Sequence, residues 1–155
     1  MTKIIRLFAV LALALASANA GVQNTKTQSL NESARGFAGQ GDKVLIGGII
    51  VKGKDTVRVV IRAIGPELNG FGLSPVLQNP TLELHGHDGA LLLKQDSHLE
   101  NSPADAQEIA DAGLTPTSVN ECAIVVTLEP GNYTAIVRGV NGTTGIALVE
   151  VYALN

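Results

Sequence analysis

Tryptophan is absent, cysteine and methionine occur once each, and aromatic residues make up only 3% of the 155-residue chain. Each shortage excludes something. A single cysteine rules out an intramolecular disulfide framework and any cysteine-based zinc cluster. Three Phe and two Tyr are few for a cleft that must grip a sugar while a carboxylate pair cleaves it. Charge is scarce as well, at 16% of residues with a formal net of −3, so no basic patch announces nucleic acid and no charge-laced repeat announces a coiled coil. What the chain has in plenty is apolar: 45% hydrophobic residues and 17 glycines, too much to bury for a disordered protein.

The first twenty residues form an address. Lys3 and Arg6 precede an unbroken apolar run over 7–16, and Ser17-Ala18-Asn19-Ala20 sets small residues at the −3 and −1 positions of a cut after Ala20. Ten helical residues span roughly 15 Å, about half of a hydrocarbon core, so the run is too short for an anchor. No cysteine follows it to take a lipid. A signal peptide over 1–20 is expected, with export to the periplasm or beyond and no membrane span in the mature chain. Cleavage removes two positive charges, taking the formal net from −3 to −5 over the remaining 135 residues. That sign disfavours attachment to anionic lipid or nucleic acid, and that length supports one core without covalent staples.

Residues 21–32 are polar and read as a flexible leader, with one domain over 33–155. From there the pattern is β. Runs rich in β-branched residues over 44–51 and 56–64 flank Lys52-Gly53-Lys54-Asp55, which reads as a hairpin loop. Segments 81–84 and 90–94 flank a turn at Asp88-Gly89. Segments 122–128 and 133–140 flank Glu129-Pro130-Gly131-Asn132, where proline presets φ and glycine accepts a positive one. Asn141-Gly142 joins the latter to 145–154 as the strongest short hairpin signal in the chain. With an eighth strand around 35–38, the expected fold is an all-β, antiparallel, jelly-roll-like sandwich of seven or eight strands. Alternation on 56–64 puts Val57, Val59, Ile61 and Ala63 on a buried face and Arg58 and Arg62 on a wet one. One helix is expected over 103–112, with Ser102 capping, Pro103 in the first turn and Gly113 at the end.

Several constellations invite a chemical reading. The spacing Gly48…Gly53-Lys54 matches a phosphate-binding loop through its lysine, but Asp55 stands where a hydroxyl should meet magnesium, and 49–51 are strand formers. His85 and His87, two apart, would share a strand face and could hold a transition metal with His98 or Asp88; against this, they flank a surface turn. Carboxylates gather over 96–121, where Asp96, Asn101 and Asp105 are candidate calcium ligands; against this, Asp105, Glu108 and Asp111 fit a solvated helix face. Arg58, Arg62 and Arg138, with Arg35, are the candidate lining of an anion-binding groove; against this, each could pair with Glu67, Glu83 or Glu150. Cys122 lies in an apolar run and reads as a buried thiol. No Gly-x-Ser-x-Gly elbow is present, so no enzyme is expected. No cofactor is expected either, calcium being the one alternative. The Asn-x-Ser/Thr acceptors at Asn31, Asn132 and Asn141 matter only in a eukaryotic secretory route.

Longer strings carry a resemblance. Residues 33–51 (SARGFAGQGDKVLIGGIIV), 61–68 (IRAIGPEL), 80–84 (PTLEL), 130–139 (PGNYTAIVRG) and 144–152 (TGIALVEVY) resemble an uncharacterised exported β-sandwich domain of environmental bacteria. From Pro80 onward the chain is also loosely similar to the β-sandwich domains appended after secreted bacterial peptidases, the pre-peptidase C-terminal domains. The resemblance implies a module that occurs alone or repeated in larger surface proteins, with no assigned activity or catalytic residues. Two departures stand out: His85-Gly86-His87-Asp88-Gly89 replaces a turn usually written with Asp, Ser or Asn, and 95–100 (QDSHLE) replaces an Asn-Asp-x-Trp-like segment. The expectation is therefore a non-catalytic structural or binding module at the cell surface or outside the cell. Its alternatives are a calcium- or carbohydrate-binding accessory or adhesion domain and a self-assembling structural subunit. The partner would be a cell-surface polymer or a second copy. A ligand site, if built, is expected where the two long connections, 65–80 and 96–121, meet.

Overall fold

The computed structural model describes residues 31–154, so the expected signal peptide, residues 21–30 of the expected leader, and Asn155 lie outside the described residues. Eight strands follow in order: β1 (Asn31–Ala38), β2 (Leu45–Val51), β3 (Val57–Ile64), β4 (Pro80–His85), β5 (Leu91–Gln95), β6 (Cys122–Leu128), β7 (Gly131–Gly139) and β8 (Gly145–Ala153). One α-helix, α1 (Pro103–Asp111), sits between β5 and β6, and a 3₁₀ turn, Pro66–Phe71, follows β3. β1 starts at Asn31, so Asn31 and Glu32, read above as leader, are paired with Tyr152 and Val151.

The strands form two four-stranded antiparallel sheets, ordered β1-β8-β3-β6 and β2-β7-β4-β5. First pairs with last, second with seventh, third with sixth and fourth with fifth. β3–β8 and β4–β7 complete the ladders. This is a long double ribbon rolled into two layers, the jelly-roll arrangement. Its core lies between the sheets, where Ile49, Val51, Leu82, Leu84 and Val137 of one meet Val59, Ile61, Ile124, Val149 and Val151 of the other.

Among the described strands, only β4 and β5 are both consecutive and paired. The hairpin expected across 52–55 is therefore not formed: β2 pairs with β7, while β3 lies in the other sheet. Ile49 and Val59 must cover one core from opposite sides, and a hairpin would place both in a single layer with nothing facing it. Asn141 and Gly142 do take positive φ, 52° and 73°, yet they link β7 to β8 across the two sheets. Gly131 is already in β7 and not among the positive-φ glycines. Turn chemistry reverses the chain locally and leaves the choice of partner to burial.

The outer face of the β1-β8-β3-β6 sheet is not simply wet. Ile109 of α1 packs on Val60 and Ala123, and Leu68 and Val76 of the 65–80 connection pack with Ile64 and Leu148. Helix α1 forms where expected, because Ser102 Oγ accepts from the Asp105 amide, Pro103 needs no amide partner in the first turn, and Gly113 leaves the helix at φ 71°. No helix among the described residues is long and apolar enough to cross a membrane.

Candidate functional site

The two long connections meet at the end of the sandwich where β3 finishes and β6 begins, and two carboxylates join them, Glu121 by the amides of Gly65 and Glu67, and Glu67 by the amide of Thr117. Glu121, the residue before β6, is fully buried. Its Oε1 accepts from the amides of Gly65 (2.8 Å) and Glu67 (2.9 Å) in the other connection, while its Oε2 is buried without a hydrogen-bond partner among the described residues. Gly65 lies against residue 77 as glycine alone can, since a Cβ would stand 1.9 Å from the Leu77 carbonyl oxygen. Burial pushes the Glu121 carboxyl above its ordinary range; the two amides oppose the rise and the neighbouring Glu67 adds to it. Burial also raises Glu67, but the Thr117 amide, Glu121 and the Arg62 guanidinium outweigh it, so Glu67 titrates below its ordinary value.

Arg62 extends this cluster across the sheet. Its Nη1 donates to Glu150 (3.0 Å) and its Nη2 to Glu67 (3.4 Å), and Tyr152 donates to the other oxygen of Glu150 at 2.8 Å. The pairs are four-fifths or more buried, which makes them stronger than exposed ones and costly to break singly. Arg58, on the same face, is held by α1: it donates to Glu108 at 2.7 Å and to Asp105 at 3.1 Å. Glu108 raises the Arg58 pKa and is itself lowered by it.

The three arginines read as a groove are therefore not assembled into one. Arg58 and Arg62 lie on the outer face of one sheet, and Arg138 projects from β7 in the other. There Arg138 donates to the Gly41 carbonyl (2.9 Å) and stands 3.8 Å from Glu83. All three face carboxylates, so no concentrated positive surface is left for an anion.

The three candidate calcium ligands are also dispersed among other partners. Asp96 is exposed beside Lys94 at 3.9 Å. Asn101 stitches strands together, accepting from the buried Gln95 amide (3.1 Å) and donating to the His98 and Ala123 carbonyls. Asp105 divides its oxygens between Arg58 and the Ser102 hydroxyl. Among the described residues no three His, Cys, Asp or Glu side chains group closely enough to hold a metal ion. The histidines are separated too: β4 ends at His85, His87 lies in the following turn, and His98 Nδ1 is 3.0 Å from the Glu121 carbonyl.

Catalytic chemistry finds little footing. The Cys122 thiol is buried between the carbonyls of Pro80 and Gln95, and burial, with Asp96 and Glu100 nearby, pushes it up to about 12. A thiol in that state is no nucleophile at neutral pH. A shallow hollow of about 100 Å³ lies between the edges of β1 and β2, lined by Glu32, Ser33, Ile46, Gly47, Gly48 and Val149 among others. Small-molecule sites usually begin near 300 Å³. What the end of the sandwich does expose is apolar: Phe71 is 80% accessible at the tip of the 65–80 connection, and Leu99 and Val119 are exposed on 96–121. Both connections are legible in the sequence, whereas Glu121 enters there as no more than the end of the 96–121 stretch. Its position directly before an apolar strand was the available signal.

Comparison with known proteins adds little. No family model matches the sequence, and no curated protein matches it. Among solved structures, the pre-peptidase C-terminal domain of a collagenase from Bacillus anthracis is similar, with 14% identity and a TM-score of 0.47 over 79% of this chain and 89% of that one. A likeness that loose assigns no role to any residue.

Proposed function

We propose that the chain belongs to the exported domain family its strings resemble and acts outside the cytoplasm as a non-catalytic binding module for a cell-surface polymer. The recognition surface is the end where 65–80 and 96–121 meet. One observation carries the reading: Glu121 fixes the two long connections to each other while Phe71 stands 80% exposed beside that junction. Large apolar side chains held out on ordered loops above a rigid sandwich suit contact with a partner. The buried thiol and the neutralised arginines support the absence of catalysis.

Co-sedimentation with bacterial cell-envelope fragments and insoluble polysaccharides tests it. The processed protein, beginning at Gly21 by intact mass, is expected in the pellet, and Phe71→Ser is expected to stay in the supernatant with an unchanged far-UV spectrum. Equal retention of both proteins, or hydrolysis of peptide or sugar esters above background, contradicts the reading.

A second reading, self-association, is favoured by β5. Leu91, Leu92 and Leu93 are consecutive on this edge strand and 54%, 48% and 39% exposed. Native edges are usually blunted by charge along their length, whereas this strand presents three leucines in a row before Lys94 and is broken in register at Leu84/His85 alone. Sedimentation equilibrium separates the readings: a dimer abolished by Leu92→Lys supports self-association, and a monomer at every concentration removes it.

A further inference from the structure

Glu121 does more than occupy a buried position. Its Oε1 is saturated by two amides of the opposite connection, its Oε2 is buried with no partner among the described residues, and a second carboxyl, Glu67, lies against it. Two carboxylates in one desolvated place repel strongly, whereas a carboxyl and a carboxylate do not. We propose that Glu121 and Glu67 form a one-proton latch, a carboxyl beside a carboxylate, that clamps connection 96–121 onto connection 65–80 and loosens when the pair gives up its proton.

The surroundings favour one proton on the pair over none or two. Glu67 has reasons to stay ionised: the Arg62 guanidinium from β3 and the Thr117 amide both bond its carboxylate. Glu121 has none beyond the amides on Oε1, because Oε2 has no hydrogen-bond partner among the described residues. From β8, Glu150 takes up part of the Arg62 charge. From β6 and the segment before it, the buried Cys122 thiol and His98, hydrogen-bonded to the Glu121 carbonyl, complete the titratable neighbours, with Asp96 and Glu100 adding negative charge on that side. Ionisation of Glu121 sets two negative charges face to face across the seam, where Glu121 holds the amides of Gly65 and Glu67 and Glu67 in turn holds the Thr117 amide. The latch stands whether or not that end of the sandwich binds a polymer.

Hydrogen exchange by mass spectrometry on the whole chain, from about pH 5 to about pH 9 and corrected for intrinsic exchange, reads the latch directly. In the wild type, peptides from 65–73 and from 114–121 are expected to lose protection together, by about tenfold or more, as pH rises, while peptides from β3 and β8 do not. Glu121→Gln, which keeps the accepting oxygen but cannot ionise, is expected to hold both connections at all pH values. Glu67→Gln removes the facing charge and tests the pair without touching the buried residue. It is expected to move the midpoint to lower pH and shrink the change. Protection that does not vary with pH in the wild type, two connections that loosen at different pH values, an unmoved midpoint in Glu67→Gln, or a pH response that survives Glu121→Gln would each overturn the proposal.

Discussion

Glu121 is fully buried, and two amides from another connection depend on one of its oxygens. Glu121→Ala strands both amides, and at about 1–3 kcal/mol for each unsatisfied buried donor the expected loss is about 3 kcal/mol in urea unfolding. Glu121→Gln keeps the acceptor and should cost about 1 kcal/mol or less; equal losses in the two variants would mean the amides are not what the side chain serves. His85 gives a pH dependence of definite sign. The Gly89 carbonyl and then Glu83 raise its pKa above the ordinary 6.5, so the folded state binds the proton more tightly than the unfolded one. Its contribution is full below pH 6.5 and is lost as pH rises through the raised value, so the stability gap between wild type and His85→Ala should shrink on going from acid to alkaline pH. A gap that widens would reverse the assignment. Asp105 and Asn101 spend their oxygens on Arg58, Ser102 and Gln95. A calcium site with a Kd of about 10⁻⁴ M would add about 2 kcal/mol of stability at about 5 mM calcium. None is expected in thermal melts with and without the ion.

At the scale of elements, α1 depends on tertiary packing more than on its own length, since isolated helices shorter than about 12 residues are marginal in water. Ile109 is its one buried side chain, seated with Val60 and Ala123. Ile109→Ala is expected to cost about 2–4 kcal/mol in urea unfolding and to raise hydrogen exchange over 103–114 first; a loss well under 1 kcal/mol would mean the helix is not docked there. Elements were also what the sequence stated most clearly. Period-two alternation in 56–64 and the Ser102-Pro103 start of α1 mark strand and helix, because these signals are local. Strand partners were not legible. Asn141-Gly142 carries the positive φ of a tight turn and still sends β7 and β8 to different sheets, and nothing in four turn residues records which layer a strand joins. The carboxylate partners of the arginines were legible as the set Glu67, Glu83 and Glu150, but which arginine meets which was not: Arg62 and Glu150 are cross-strand neighbours because β3 lies beside β8. The covered face of β3 was missed because Val60 and Ile64 alternate with two arginines, and only α1 and the 65–80 connection make that mixed face buried.

At the scale of the whole molecule, pairing each strand with its mirror in chain order, β1 with β8 through β4 with β5, leaves two layers with one core and sends all but one connection across the gap. Long-range pairing of this kind predicts slow, cooperative folding, with the outer cover of α1 and 65–80 the first to open. The central claim is that strand order, and backbone nuclear Overhauser contacts on the isotope-labelled chain measure it most directly. Cross-strand contacts are expected between Ser33 and Glu150, Gly47 and Ala135, and Val60 and Val125. A ladder joining 45–51 to 57–64 across residues 52–55, in place of the Gly47–Ala135 contact, would contradict it.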